Sequence, residues 1–254
     1  SWKRASLRLT KTKNGCQAVI YLKIAMPHSI QEVIVANDLI KRAYDYAKKT
    51  HQGEKRPNGE PFFNHSLATA QILTEWNLDQ ETIAAGFLHD VPTASKSEAQ
   101  AIEEIKKEFG EETASLVAGV TAVTKVRYRG TESNIDNLRK FILYLSQDIR
   151  VILIKFASRL NILQSLYAYP QPMQKRLALK TMDVYAPLAH QLGMYRTAGD
   201  LEDLSFPYLY PEDYKWLITN VKERFEAREL YLEKFKPLHQ KELAANGLSV
   251  IKME

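Results

Sequence analysis

The sequence predicts an all-α fold. From Ile30 onward, apolar residues recur every three or four positions, which places them on one face of a helix. Gly and Pro punctuate the chain between these periodic stretches, as expected at breaks between helices. Only residues 248–253 have the pattern of a strand. These observations favour a helical bundle, and 254 residues are enough to enclose one large core.

Composition is typical of a soluble protein. Hydrophobic residues make up 45% of the chain and charged residues 26%. No apolar run reaches the roughly 18 residues of a membrane-spanning helix, so no membrane partner is expected. The single cysteine, Cys16, excludes an internal disulfide framework and predicts a reducing, cytoplasmic location.

The positive charge of the chain lies in its N-terminal segment. Residues 1–25 contain six basic side chains and no acidic one, which leaves the remainder close to neutral. Such a segment could contact nucleic acid or anionic lipid. A solvated extension is the favoured interpretation, and Met26 is a plausible native start. We therefore predict a basic N-terminal extension over residues 1–26.

The first half of the chain predicts three helices around a polar loop. Apolar spacing predicts a helix over residues 30–47, and Gly, Pro and charged residues predict a loop over 51–61. A second helix is expected over 66–76. Asp79 is a good N-cap for a third, which carries His89 and Asp90 and is expected to end at Pro92.

The second half predicts further helices and a basic loop over residues 125–133 of the kind that covers an active site. The helices are expected over 97–109, 112–121, 135–145, 150–167, 173–190 with a kink at Pro187, 201–209 and 212–242. The strand-like pattern at 248–253 predicts the start of a following domain.

Two histidines and an aspartate are candidate metal ligands. Imidazole and carboxylate together suit divalent ions such as Mn²⁺, Fe²⁺ and Zn²⁺. The adjacent pair His89-Asp90 could present two ligands from one helix, and His65 a third from another. By themselves these residues are weak evidence, because a hydrogen-bonded histidine at a helix end is more common than a ligand.

The surrounding sequence is more specific. Residues 56–65 read RPNGEPFFNH and residues 82–91 read TIAAGFLHDV. Together with 109–125, 148–155 and 185–204, they closely resemble, in order, the segments of RelA/SpoT homologues, the enzymes that make and degrade (p)ppGpp. The resemblance covers about residues 30–215 and lies in the HD-type hydrolase domain, so it implies an HD-domain helical bundle.

In that family, two histidines and two aspartates bind one Mn²⁺, and a metal-activated water removes the 3′-pyrophosphate of (p)ppGpp. Position by position, the resemblance implies His65, His89 and Asp90 as metal ligands, with Ser158 at the fourth-ligand position. It also implies nucleotide-binding roles, which we assign to Arg56, Arg159 and Ser165.

The chain departs from the family pattern at the catalytic positions. The Glu-Asp pair that activates water is replaced by Thr93 and Ala94, and the fourth ligand by Ser158. Asn161 and Ile162 replace the histidine and asparagine that follow. Loss of a general base typically costs about 10²–10⁴-fold in rate. Hydrolysis is therefore expected to be weak or absent.

The leading hypothesis is a degenerate (p)ppGpp 3′-pyrophosphohydrolase domain, over residues 27–205, that regulates a synthetase domain. A helical linker over 206–246 would lead into that domain, which would start at 247–254, and any ribosome contact would come from domains further on. Two alternatives stay open. One is a metal-dependent phosphohydrolase acting on another nucleotide, and the other is a non-catalytic sensor of ppGpp, GDP or GTP.

Overall fold

The computed structural model describes residues 3–12, 15–24, 29–125 and 148–245. Apart from an N-terminal hairpin, these residues are predominantly helical, and the predicted all-α class is confirmed. The chain divides into two compact units, Ser1–Leu204 and Ser205–Glu254. The predicted helix over 135–145, most of the loop over 125–133 and the strand over 248–253 lie outside the described residues.

The hairpin was not predicted. Strands β1 (Lys3–Thr12) and β2 (Gly15–Ile24) pair antiparallel, from Lys3 opposite Ile24 to Thr12 opposite Gly15. The local signals were present, because the dipeptide Asn-Gly at 14–15 is a strong sequence signal for a hairpin, and leucines alternate with polar residues in β1.

The predicted helix over 30–47 is two helices, α1 (Ile30–Ala36) and α2 (Asp38–Thr50). Asn37 separates them with an extended backbone, and its Oδ1 accepts a hydrogen bond from the Ile40 amide at 3.1 Å. An asparagine side chain satisfies a free amide at a helix start, so this one polar position restarts the helix.

Three helices form the centre of the first unit: α3 (Phe63–Glu75), α4 (Gln80–Leu88) and a later helix, Arg150–Gln164. They pack against one another, and α4 is buried along most of its length. Pro92 does not directly end α4. The helix stops at Leu88, and Pro92 lies in the first turn of a short helix, α5 (Val91–Ala94), where its missing amide costs nothing.

Two helices lie between α5 and the gap in the described residues. Helix α6 (Glu98–Phe109) is capped by Ser97 and ends at Gly110, whose φ of +91° favours glycine. Helix α7 (Glu111–Lys125) follows it and packs against both α4 and the later central helix.

The central helix Arg150–Gln164 is α8, and it ends before the predicted 167 in a 3₁₀ turn at Leu166–Ala168. Next come α9 (Gln171–Lys180) and α10 (Ala186–Gln191), joined by a π-helical turn at Thr181–Tyr185. Pro187 cannot donate a backbone hydrogen bond, and the wider turn just before it accommodates the missing donor.

Helix α11 (Tyr195–Leu209) begins earlier than predicted and contains the boundary between the two compact units. The second unit is mainly one long helix, α12 (Pro211–Ala245). Within it, Trp216 and Leu238 are exposed.

Candidate metal centre and nucleotide site

The central helices bring the predicted ligands together. His65 lies in the first turn of α3, His89 and Asp90 follow α4, and Ser158 lies on α8. Helix α4 is fixed at its start by Asp79, whose Oδ1 accepts a hydrogen bond from the Thr82 amide at 2.9 Å.

Close contact between α3 and α4 depends on a glycine. A Cβ atom on Gly86 would lie 2.5 Å from Leu73 Cδ1, so a larger residue would force the buried Leu73 side chain to shift. This close approach sets the spacing of the residues that the two helices present to the site.

His65, His89 and Asp90 converge on one point. Their ligand atoms all lie within 4.8 Å of one another. Asp90 Oδ2 is 3.2 Å from His89 Nε2 and 3.5 Å from His65 Nε2. Ligands about 2 Å from a metal ion in tetrahedral geometry lie about 3–3.5 Å apart, so the three atoms could share one ion.

The hydrogen bonds fix which histidine nitrogens face this point. His89 Nδ1 donates to the Gly86 carbonyl at 2.8 Å, and His65 Nδ1 donates to Asn161 Oδ1 at 2.7 Å. In its neutral form with Nδ1 as the donor, each ring presents the lone pair of Nε2 to Asp90. His89 Nε2 is buried and has no hydrogen-bond partner among the described residues. An unpartnered lone pair beside a carboxylate fits a bound cation.

Electrostatics keep His65 neutral. Burial lowers its pKa to about 4, with His89 and Arg56 adding to the effect against the opposing charge of Asp90. For Asp90, burial alone would raise the pKa, but His89, His65 and Lys155 hold it well below the ordinary value. A neutral His65 and an ionised Asp90 are the protonation states that metal binding requires of these two residues.

Ser158, at the fourth-ligand position, lies next to the three candidate ligands. It is 2% exposed, and its hydroxyl donates a hydrogen bond to His65 Nε2 at 3.2 Å. The serine therefore occupies a ligand lone pair and contributes no negative charge. The residues fit a three-ligand ion site with a competing hydroxyl, a set expected to bind more weakly than two histidines and two carboxylates.

The predicted catalytic positions hold no acid. Thr93 and Ala94 are exposed on α5, and the Thr93 hydroxyl donates to the carbonyl of Asp90 at 2.8 Å. Asp148 does not replace a missing carboxylate, because it binds Arg150 Nη2 at 2.6 Å at the start of α8. Asp148 precedes α8, and about 12 Å of helix separates Arg150 from Ser158.

Two of the three predicted nucleotide-binding residues meet. Arg56 Nη2 donates to Ser165 Oγ at 2.7 Å, and both residues are buried. The loop that holds Arg56 is tightened by a hydrogen bond from its amide to the Glu60 carbonyl at 2.8 Å. The charge of Arg56 contributes to lowering the pKa of His65.

Arg159 has different contacts. It follows Ser158 on the helix, and its guanidinium lies over the Tyr185 ring, 4.5 Å from the ring centre. Sequence reasoning did not single out Tyr185, Lys155 or Lys180, which lie near it. From the sequence, Lys155 could have been placed on the same helix face as Arg159, because it lies one helical turn before it.

His51 and His190 have local partners. His51 Nδ1 lies 2.7 Å from Glu54 Oε2 and its ring packs against Phe62, while His190 Nε2 lies 3.0 Å from Glu202 Oε1. Arg127, Tyr128 and Arg129 of the predicted covering loop lie outside the described residues. In the part of the chain that the structure describes, no helix has the length and apolar character of a membrane span.

Comparison with known proteins gives consistent matches. The family model described as "HD domain" matches residues 43–195. A guanosine-3′,5′-bis(diphosphate) 3′-pyrophosphohydrolase of Aquifex aeolicus is 42% identical over 210 residues, covering 82% of this chain and 30% of the relative. The bifunctional (p)ppGpp synthase/hydrolase SpoT of Escherichia coli K12 is 36% identical, covering 85% and 31%.

A GTP pyrophosphokinase of Myxococcus xanthus is 40% identical, covering 83% of this chain and 28% of the relative. A solved structure titled as a metazoan ortholog of SpoT that hydrolyses ppGpp covers 68% of this chain and 94% of its own, at 23% identity and a TM-score of 0.44. The chain therefore spans less than a third of the length of these curated relatives.

Proposed function

The chain belongs to the HD-domain family, in the branch of the RelA/SpoT homologues, and from this premise we propose that it is a (p)ppGpp 3′-pyrophosphohydrolase-type domain whose hydrolysis is weak or absent. It would retain guanine-nucleotide binding and regulate a synthetase domain in a longer cytoplasmic protein. The observation that carries this proposal is the hydroxyl of Ser158 at the fourth side of the ligand group.

The proposed metal is Mn²⁺, held by His65, His89 and Asp90. When bound, such an ion would polarise a phosphate oxygen and lower the pKa of a water molecule. Asn161 supports this arrangement by accepting the Nδ1 proton of His65, which directs Nε2 towards the ion.

Two features argue against efficient hydrolysis. Ser158 offers a neutral oxygen that already bonds His65, so it competes with the ion for that lone pair. At positions 93 and 94 the chain has a hydroxyl and a methyl group, neither of which can take a proton from an attacking water near neutral pH. Both deficits act on the chemical step more than on nucleotide binding.

Nucleotide binding is proposed to persist through Arg56 and Ser165. Their hydrogen bond preorganises the guanidinium in a buried position, where it can meet a phosphate or a base. The arrangement also supports the second candidate function, a non-catalytic sensor of ppGpp, GDP or GTP. Regulation of a synthetase is compatible with both.

The test measures binding and turnover on the same protein. We expect calorimetry to detect ppGpp binding, while chromatography shows turnover with Mn²⁺ at least about 10²-fold below that of the Aquifex relative's corresponding domain. Turnover equal to that of the relative would overturn the proposed loss of hydrolysis. Absence of binding for ppGpp, GDP and GTP would remove the sensor function as well.

A further inference from the structure

A cleft in the first unit lies apart from the candidate metal and nucleotide residues. It has a volume of about 560 Å³, and its lining comes from the last turns of α3 and α8 and from α11. The described residues that line it include none of the predicted metal ligands or nucleotide-binding residues. His65 lies at the other end of α3, and about 15 Å of helix separates it from Glu75. The volume is within the range of small-molecule sites, roughly 300–1,000 Å³.

Negative charge predominates in this cleft. Three carboxylates line it, those of Glu75, Asp200 and Asp203, together with one basic side chain, that of Arg196. Asp200 and Asp203 lie three residues apart on one face of α11. In the part of the chain that the structure describes, Arg196 forms no ion pair with these carboxylates, and Glu75 Oε1 accepts a hydrogen bond from the neutral amide of Gln71 at 2.8 Å. The carboxylates therefore outnumber the one guanidinium.

Two helix ends add to the negative charge. The last turns of α3 and α8 line the cleft through Glu75 and Gln164, and neither last turn contains a basic residue. A helix C-terminus carries about half a negative charge, and an N-terminus carries about half a positive charge. The first turn of α11, which holds Arg196, is the one helix start in the lining. Two negative helix ends thus oppose one positive end, and the cleft as a whole is suited to a cation.

Two uncharged groups in the lining could also contact a cation. Thr197 is 6% exposed, and no described residue forms a hydrogen bond with its hydroxyl. Its oxygen is therefore free to accept a hydrogen bond from a ligand in the cleft. The indole of Trp76 is half-buried in the same lining, and no cation from the described residues lies over its ring. The face of a tryptophan ring attracts a ligand cation.

The arrangement of the carboxylates favours an extended organic cation over a metal ion. Within the described ranges, only His65, His89 and Asp90 bring three ligand atoms within 4.8 Å of one another, so the cleft carboxylates do not form a second group of this kind. The cleft also has apolar walls, which suit methylene groups. These walls are formed by Ile72, Leu160 and Leu204. The formal net charge of the chain is +5, so its overall charge does not attract a polycation.

We propose that this cleft between α3, α8 and α11 binds a small aliphatic polyamine, a linear chain of methylene groups that carries two or more ammonium groups. The carboxylates of Glu75, Asp200 and Asp203 pair with the ammonium groups. The Thr197 hydroxyl accepts a hydrogen bond from an ammonium group, and the Trp76 ring contacts another. The site goes beyond the proposed function and does not depend on it, because it shares no lining residue with the metal centre.

The first test is calorimetry of the complete chain with spermidine. We expect saturable binding that Asp200→Asn and Asp203→Asn each weaken by about two- to fivefold, because both carboxylates are exposed, and that the double variant weakens by about tenfold or more. The matched control Asp45→Asn removes an exposed carboxylate from α2, outside the cleft, and is expected to leave the affinity unchanged. Circular dichroism checks that each variant keeps its helices.

The Thr197 hydroxyl and the Trp76 ring give two further readouts. Thr197→Val keeps the shape of the side chain and removes the hydroxyl, so spermidine affinity should fall by about fivefold, whereas Thr197→Ser keeps the hydroxyl and should retain the affinity. Bound spermidine should change the tryptophan emission, and Trp76→Phe should abolish that change.

Three results would overturn the proposal: no saturable spermidine binding, equal weakening by Asp45→Asn and Asp200→Asn, or displacement of spermidine by an equal concentration of Mg²⁺. The last two would show general attraction of positive charge in place of a built site. Spermidine binding by a chain that binds no guanine nucleotide would support the cleft while refuting the proposed function.

Discussion

Ser158→Asp is the substitution whose consequences the site geometry defines most closely. It places a carboxylate where a hydroxyl now lies 3.2 Å from His65 Nε2, in a position that is 2% exposed. The new side chain would complete a set of two histidines and two carboxylates around one point. We therefore expect opposite effects on the metal-free and the metal-bound protein.

Without metal the variant should be less stable. Ser158 Oγ and Asp90 Oδ2 both lie within 3.5 Å of the same nitrogen, so two carboxylates there would be no more than about 7 Å apart. At an effective dielectric constant of about 20, repulsion at that distance is about 2 kcal/mol. The free energy of unfolding in EDTA should fall by about this amount or more.

With Mn²⁺ the variant should gain affinity. Changes to residues that merely support ligands already alter metal affinity by about 10–100-fold, so an added anionic ligand should strengthen binding by about 100-fold or more. Calorimetry measures the affinity, and thermal unfolding with and without Mn²⁺ measures the stability. Ser158→Asn is the control, because it has a similar size to aspartate and no charge. Equal Mn²⁺ affinity in the aspartate and asparagine variants would refute our reading of this position.

Three further predictions test the nucleotide site, the helix packing and the ionisation of Tyr185. Arg56→Ala should weaken ppGpp binding by about tenfold in calorimetry, because it removes a buried charged donor. Gly86→Ala should lower the free energy of unfolding in urea by about 1–3 kcal/mol, because its Cβ would lie 2.5 Å from Leu73 Cδ1. The control is Gly199→Ala, whose Cβ would meet nothing within 4 Å. This change should leave the free energy of unfolding unchanged or raise it. Ultraviolet titration should show one phenol ionising near pH 8, below the ordinary value near 10, and Tyr185→Phe should abolish that step.

Local sequence accounts for much of the fold. Asp79 caps α4 as predicted, and Ser97 caps α6, because a short polar side chain at a helix start acts within three residues. Asn37 uses the same chemistry inside an apolar periodic stretch, where the pattern alone suggested an unbroken helix. The π-helical turn before Pro187 accommodates the backbone hydrogen-bond donor that proline lacks. No short sequence motif predicts such a turn.

For the candidate site, too, some features could be predicted from the sequence and others could not. His65, His89 and Asp90 could be grouped from sequence because a family resemblance supplied contacts between distant segments, and the structure brings them together. The hydrogen bond from Ser158 to His65 required three-dimensional geometry. The cluster around Tyr185 joins side chains from α8, α9 and the π-helical turn, and nothing in the sequence of one segment indicates the others.

The most direct test of the central claim is ppGpp turnover with and without Mn²⁺, measured on the original chain and on a variant carrying Ser158→Asp, Thr93→Glu and Ala94→Asp. Our account predicts negligible turnover by the original and Mn²⁺-dependent hydrolysis by the variant, increased by at least about 10²-fold. Efficient hydrolysis by the original chain would contradict it, because residues other than those three positions would then complete the site. Restored Mn²⁺ binding without restored turnover would likewise contradict the claim that these positions account for the lost chemistry.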